Sequence, residues 1–318
     1  MISAATLAPD DVSKLDRVVV LGGSGLVGSR VLGLWDADLD VLAPTHAELD
    51  VLDADAVAAF LDQSGARVVL NLAASTQVDA AEAERGDRQG LVYALNAEVP
   101  GRLSRICKQL DVHLVHISTD YVFDGTQAER AYREDDPPHP LSWYGKTKLI
   151  GEQRVLQHHP GACVARIEMP FTGRPYPRSD FARTCLRRFE RGETIAGVAD
   201  QRITPVLLDD AVRALRALVT LVTRRHVGLV HLAATDWTTP YEYARSIADC
   251  LNLDRDLVRP TTFDAFAQTR PAPRPRHSWL DVSRFVALCG QGILRSFEQE
   301  LRDWAMQLHE SQPSPASI

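Results

Sequence analysis

The chain has 318 residues, enough for two modest domains or one large one with a full core. Hydrophobic residues make up 45% and charged residues 24%, which excludes a disordered or fibrous chain. The net charge of −7 argues against a broad basic surface, and no apolar run approaches membrane-spanning length, so neither nucleic acid nor membrane is expected as a partner.

The first half alternates short β-branched runs with helical patterns. Strands are predicted at 17–21, 39–43, 67–72, 112–117 and 162–167, with helices at 26–35, 54–63, 96–110 and 144–158 between them. These strands are nearly continuous in apolar residues, as a parallel sheet covered on both faces requires. The alternation predicts a doubly wound α/β fold, a Rossmann-type parallel sheet with right-handed crossovers. Beyond about residue 168 the pattern loosens. The stretch 170–178 holds three prolines and a glycine, followed by helices at 181–191 and 209–222, a strand at 229–233 and a helix at 240–252. A loop with four prolines spans 260–275, an amphipathic helix 293–308, and a tail at 313–318 is expected to fray.

Five cysteines (Cys107, Cys163, Cys185, Cys250 and Cys289) are odd in number and never form a CxxC pair. This spacing fits reduced thiols better than a disulfide framework or a zinc site, and no metal is expected. Residues 1–16 lack the basic start and apolar stretch of a signal peptide, so the expected location is cytoplasmic.

The first predicted strand runs into Gly22-Gly23-Ser24-Gly25-Leu26-Val27-Gly28 and then a helix. Glycines at this spacing allow a tight turn, close approach of backbone to pyrophosphate, and close packing of helix on strand. The helix amino end then offers unpaired N–H groups to phosphate. The predicted division follows: a NAD(P)-binding Rossmann domain over 1–168 and a smaller C-terminal substrate-binding domain over 169–318, with about 204–234 returning to the first sheet. After the second strand comes Pro44-Thr45-His46 rather than a carboxylate that would accept a ribose 2′-hydroxyl. The cofactor therefore stays open between NADP and NAD, with NADPH favoured and Arg30 or His46 as candidate phosphate partners. Asp50-Val51 lies where a contact to adenine is plausible.

Only four lysines (Lys14, Lys108, Lys146 and Lys148) stand against 31 arginines, and two of the four fall in Tyr144-Gly145-Lys146-Thr147-Lys148. Residues four apart share a helix face, so the phenol of Tyr144 and the ammonium of Lys148 can enter one cleft. A nearby ammonium favours the phenolate and is expected to lower the tyrosine pKa toward the working range. Ser118 and Thr119 follow the fourth strand, where ligands of open α/β sheets lie, and are placed to hydrogen-bond a substrate carbonyl. Residues 166–202 hold eight arginines against five carboxylates, and Arg270, Arg274 and Arg276 crowd one loop. Arginine forks suit a nucleotide diphosphate.

GGSGLVG (22–28), NLAASTQVDAAEAE (71–84), LNAEVPGRL (95–103), HISTDYVFDG (116–125), PLSWYGKTKLIGE (140–152) and RPRHSWLD (274–281) together resemble the extended short-chain dehydrogenase/reductase superfamily, and within it the dTDP-4-dehydrorhamnose reductase family. The resemblance implies that Thr119, Tyr144 and Lys148 form the catalytic set. It further implies a cofactor site of Gly22, Ser24, Gly25, Leu26, Val27, Gly28, Asp50, Val51, Leu72, Ala73, Ala74, Asn96, Ser118, Tyr144, Lys148 and Met169. Substrate contacts are implied for Ser75, Thr119, Asp120, Tyr121, Tyr144 and Arg274, and Asn96 would support the proton network. The implied reaction is hydride transfer from a reduced nicotinamide to the C4 ketone of a 4-keto-6-deoxy nucleotide sugar. Sugar dehydratases of the superfamily carry an acidic pair after the threonine, whereas Asp120 here precedes Tyr121, which favours simple reduction. The sequence departs from the family pattern at Ile167-Glu168-Met169-Pro170-Phe171, where a Ser-Trp-Val-Tyr type stretch is usual. The later part equally resembles the regulatory β subunit of methionine adenosyltransferase, so a non-catalytic NADP-binding subunit is the alternative, and an epimerase a third reading. A nucleotide sugar is the expected small-molecule partner, and a homodimer is compatible with the sequence.

Overall fold

A computed structural model describes residues 15–35 and 39–310; Lys14, the opening segment 1–14 and the tail 313–318 lie outside them. Six parallel strands form the main sheet: β1 (Leu15–Leu21), β2 (Leu39–Leu42), β3 (Val68–Asn71), β4 (His113–Thr119), β5 (Cys163–Ile167) and β7 (Gly228–Leu232), in the order β2-β1-β3-β4-β5-β7. The sheet is doubly wound, and period-2 alternation shows why. Val18 and Val20 of β1, with Val68, Leu70, Val115 and Cys163, face α1 (Leu26–Leu34) and α8 (Leu208–Val222). Val19 and Leu21, with Val69, Leu114 and Val164, face α2 (Ala54–Ser64), α5 (Val99–Gln109) and α6 (Trp143–His158).

A second core gathers Phe171, Phe189, Tyr243, Ile247, Phe297 and Trp304. It lies among α7 (Phe181–Glu190), α9 (Pro240–Leu251), α12 (Phe297–Glu310) and a parallel pair of strands, β6 (Ile195–Val198) and β8 (Val258–Thr261). Four shorter α-helices, α3 (Val78–Ala81), α4 (Leu91–Tyr93), α10 (Phe263–Ala267) and α11 (Ser283–Cys289), and three 3-10 turns (Glu82–Glu84, Asp120–Val122 and Arg255–Leu257) lie between these elements. Among the described residues no helix is long and apolar enough to cross a membrane.

Three stretches differ from their expected form. The proline-rich loop 260–275 begins inside β8 and contains α10; Pro260 is tolerated because it sits on an edge strand, opposite Gly197. The helix expected over 96–110 starts earlier, as α4, and passes through a π-helical segment (Ala94–Glu98) before α5, a widening that a 3.6-residue period does not encode. The last helix starts at Phe297 rather than 293, because the Phe297 N–H donates to Asp236 Oδ1 at 2.6 Å, a cap supplied from a distant residue.

Candidate active site

Leu21 of β1 lies beside Asn71 of β3, and strand order reverses there, since β2 lies on the other side of β1. Such a reversal opens a crevice at the carboxyl ends of the strands. Gly22 turns the chain with φ +84°, and a Cβ added there would fall 2.7 Å from the Ala73 nitrogen. A Cβ on Gly28 would fall 2.3 Å from the Gly22 carbonyl oxygen, so only glycine lets α1 start this close to the turn. Gly25 begins α1 without a side-chain cap, and the N–H groups of the first turn have no carbonyl partner one turn earlier. This cradle suits the pyrophosphate of a dinucleotide.

The crevice encloses about 680 Å³. Gly22, Gly25, Leu26, Val27, Gly28, Leu72 and Ala74 line it, as do Ser118, Thr119, Asp120, Tyr121, Tyr144, Lys148 and Met169. Ser118 Oγ is buried there without a hydrogen-bond partner among the described residues, which leaves a polar atom for a ligand. Ser24, Asp50, Val51, Ala73, Ser75, Asn96 and Arg274 do not line the crevice. Asp50 is exposed and accepts the Leu52 N–H at 2.9 Å, and Val51 packs against the core under α2. The Ala73 N–H donates to Asn71 Oδ1 at 3.2 Å. Asn96 is fully buried and holds both backbone groups of Ser75, at 2.9 and 3.0 Å, and Thr147 Oγ1 at 3.2 Å. It therefore pins the loop after β3 to α6, and its hydrogen bonds do not run to Tyr144 or Lys148.

Several arginines suggested for phosphate are engaged elsewhere. Arg30 forms a two-pronged pair with Asp209 at 2.6 and 2.7 Å, largely buried, which removes it as the 2′-phosphate partner. Arg274 grips Asp79 at 2.9 Å through both terminal nitrogens, and its charge acts on the phenol group of Tyr121. Arg276 is held by Asp200 at 2.6 Å and by Asp264. Of the arginines in 166–202, Arg178 lines the crevice, together with Tyr176 and Asp180. Those last three were missed by sequence reasoning. Tyr176 reaches back to the Ser24 carbonyl at 3.5 Å, and an aromatic residue between two prolines in a turn-rich stretch was the available signal.

Tyr144 and Lys148 are fixed by the start of α6. Ser142 caps the helix, accepting the Gly145 N–H at 3.1 Å. A Cβ on Gly145 would lie 2.1 Å from the Tyr121 carbonyl oxygen, and one on Gly151 2.2 Å from that of Asn96. The two glycines thus let α6 approach the turn after β4 and the π-helical segment. Lys148 is buried and donates to the Ile117 carbonyl at 2.7 Å, which leaves two of its three N–H bonds for a ligand. Burial pulls its pKa down to about 8, with the Glu152 charge opposing. Tyr144 meets Tyr121 edge-on at 5.6 Å. Burial pushes the Tyr144 phenol above its ordinary value, and the neighbouring Thr119 hydroxyl draws it partly back.

Thr119 Oγ1 lies 2.9 Å from Asp120 Oδ1 and accepts the Tyr121 N–H at 3.3 Å. Asp120 is buried, and its carboxyl is held far above the usual range, first by burial and then by the charge of Glu168. Glu168 is one position beyond β5, at the point where the sequence departs from the family pattern. It was not anticipated as a functional residue.

Residues 16–310 match the family described as RmlD substrate binding domain. A dTDP-4-dehydrorhamnose reductase from Mycolicibacterium smegmatis is 38% identical over 290 residues, covering 90% of this chain and 84% of that protein. Methionine adenosyltransferase 2 subunit beta from Xenopus laevis is 31% identical over 307 residues, covering 92% and 89%. The crystal structure of a dTDP-4-dehydrorhamnose reductase from Bacillus anthracis in complex with NADP matches with a TM-score of 0.82 at 27% identity, over 92% of this chain and 99% of that one.

Proposed function

Because the chain belongs to the RmlD substrate binding domain family, we propose that it is an NADPH-dependent oxidoreductase that reduces the keto group of a nucleotide-linked sugar, as its dTDP-4-dehydrorhamnose reductase relatives do by name. The observation that carries this reading is the meeting, in one crevice, of the glycine turn with Thr119, Tyr144 and Lys148.

When bound, the reduced nicotinamide supplies hydride to the keto carbon. The N–H groups at the start of α1 would hold the pyrophosphate, and Lys148 would hold the nicotinamide ribose through its two remaining N–H bonds, with Met169 among the residues lining the same crevice. Tyr144 gives its phenolic proton to the carbonyl oxygen. Thr119 hydrogen-bonds the same oxygen, stabilising the charge that develops there. Asp120 and Tyr121 orient the sugar, with the Arg274 guanidinium, held by Asp79, acting on the Tyr121 phenol. A 4-keto-6-deoxy sugar is the substrate class this reading selects. All five cysteines are free thiols, which accords with action in the reducing cytoplasm.

Purified protein incubated with NADPH and a dTDP-linked 4-keto-6-deoxy sugar is expected to consume the cofactor, and Tyr144→Phe to lower kcat by about 10²–10⁴-fold without weakening NADPH binding. NADPH binding without turnover of any sugar in a keto-sugar panel, together with co-purification of a stable partner, would sink the reductase reading in favour of a subunit role. Product formed without net cofactor consumption would point to an epimerase.

A further inference from the structure

Glu168 is completely buried at the end of β5 and has no cationic partner among the described residues. Its Oε2 accepts the Thr204 N–H at 2.8 Å and the Thr204 hydroxyl, and its Oε1 accepts the hydroxyl of Ser278. Thr204 Oγ1 in turn accepts the Leu280 N–H at 2.9 Å, so two distant segments fix this carboxyl in place. Asp120 is the acidic neighbour it faces, and Ser278 lies close to both carboxyls. Asp120 Oδ2 is buried without a partner among the described residues.

The other charged and titratable groups around the pair do not neutralise it. Lys148, on α6, donates to Ile117; Arg274 is held by Asp79; Arg166, on β5, is held by Glu152. Tyr144 on α6 and Tyr121 on the turn after β4 face Asp120 as neutral phenols, each raised by burial. Two carboxyls confined together without a cation cannot both ionise at low cost, so the pair retains a proton.

Where that proton sits decides what Thr119 can do. An ionised Asp120 only accepts, so the Thr119 hydroxyl must donate to Oδ1 and its hydrogen is unavailable to a substrate. A neutral Asp120 can place its O–H on Oδ1 and donate to Thr119 Oγ1 across the same 2.9 Å, which turns the Thr119 hydrogen toward the crevice. We propose that Glu168 is a positioning residue whose buried carboxylate keeps a proton on Asp120, so that Thr119 presents its hydroxyl hydrogen to the substrate's carbonyl oxygen. This rests on the reductase reading. The Asp120 proton stays where it is throughout, and the proton gained by the product comes from Tyr144. Burial and the Glu168 charge both act to hold it, and burial raises Glu168 itself to about 7.

Two measurements test it. In kcat–pH profiles, Glu168→Gln is expected to move the alkaline limb down by about one to three units, with kcat regained at low pH and KM for NADPH unchanged within about twofold. In infrared spectra of the ligand-free protein, a protonated-carboxyl band is expected at pH 8, absent from Asp120→Asn and titrating at lower pH in Glu168→Gln. An equal loss of kcat at every pH, or an unmoved alkaline limb, would mean that Glu168 is merely structural and would overturn the proposal. So would the absence of the Asp120 band in the wild type at pH 8, a result that stands even if Glu168→Gln does not fold. Should the wild type turn over no keto sugar, the reductase reading fails, while the infrared band still reports on the proton by itself.

Discussion

Two buried ionisable side chains only two positions apart on the β5 segment are treated in opposite ways. Arg166 meets Glu152 through two hydrogen bonds, at 2.9 and 2.7 Å, and its guanidinium lies 5.0 Å over the ring of Phe123. Glu168 meets hydroxyls, one backbone N–H and a second carboxyl. The first arrangement matches charge with charge and braces α6 against the sheet. The second leaves charge unmatched at the carboxyl end of the strand, where the crevice opens. Buried ion pairs fix structure; buried carboxyl pairs store protons, and the sheet places each where that property is used.

The comparison can be broken at four points, in falling order of effect. Replacing Arg166 alone by Met strands a buried carboxylate and is expected to cost about 3–5 kcal/mol in urea unfolding, whereas the double change Arg166→Met with Glu152→Leu recovers most of that loss. The Glu168 side should show itself through pH instead. Its carboxyl, ordinarily near 4.5, is pushed up to about 7 by burial, so the folded protein holds a proton that the unfolded chain has released. Stability is therefore full below the unfolded value and is lost as pH rises through about 7, by an amount on the order of a few kcal/mol. Urea midpoints measured from pH 4 to 8 (the span is roughly the window of the two values) should fall in the wild type and fall less steeply in Glu168→Gln, where burial alone still raises Asp120. A smaller effect, about 1–2 kcal/mol, is expected of Thr204→Val, which removes a donor from Glu168 and the acceptor of the Leu280 N–H. The exposed pair Arg302–Glu298 provides the lower bound: Arg302→Ala should change stability by at most about 0.5 kcal/mol. If Arg302→Ala proved as costly as Arg166→Met, burial would not be what separates these pairs.

Much of the fold was legible because its signals are local. Val18 to Leu21 read as a buried strand from four successive apolar residues, and the glycines that follow read as a phosphate turn. Tyr144 and Lys148 read as one helix face from their spacing. The same helix held two signals that went unread: Gly145 and Gly151 are there because the Tyr121 and Asn96 carbonyls pass within 2.1 and 2.2 Å of where a Cβ would be. No periodicity reveals such an approach, since the crowding backbone comes from elsewhere. The start of α12 was misplaced for a similar reason, its cap coming from Asp236.

The sequence by itself determined the layered α/β sheet, the glycine turn before α1 and the placing of Tyr144 and Lys148 on one helix face, because each is encoded within a few residues of chain. Only the tertiary structure decided which charges remain available for chemistry. Arg30 is withdrawn by a partner 179 positions away and Arg274 by one 195 away, while Glu168 is fixed by Ser278 at a distance of 110 positions. A charged group's role depends on what it meets after folding, and in a chain rich in arginine and carboxylates many partners are equally permitted by sequence. Packing selects one of them, and the crevice is left with the groups that packing did not neutralise.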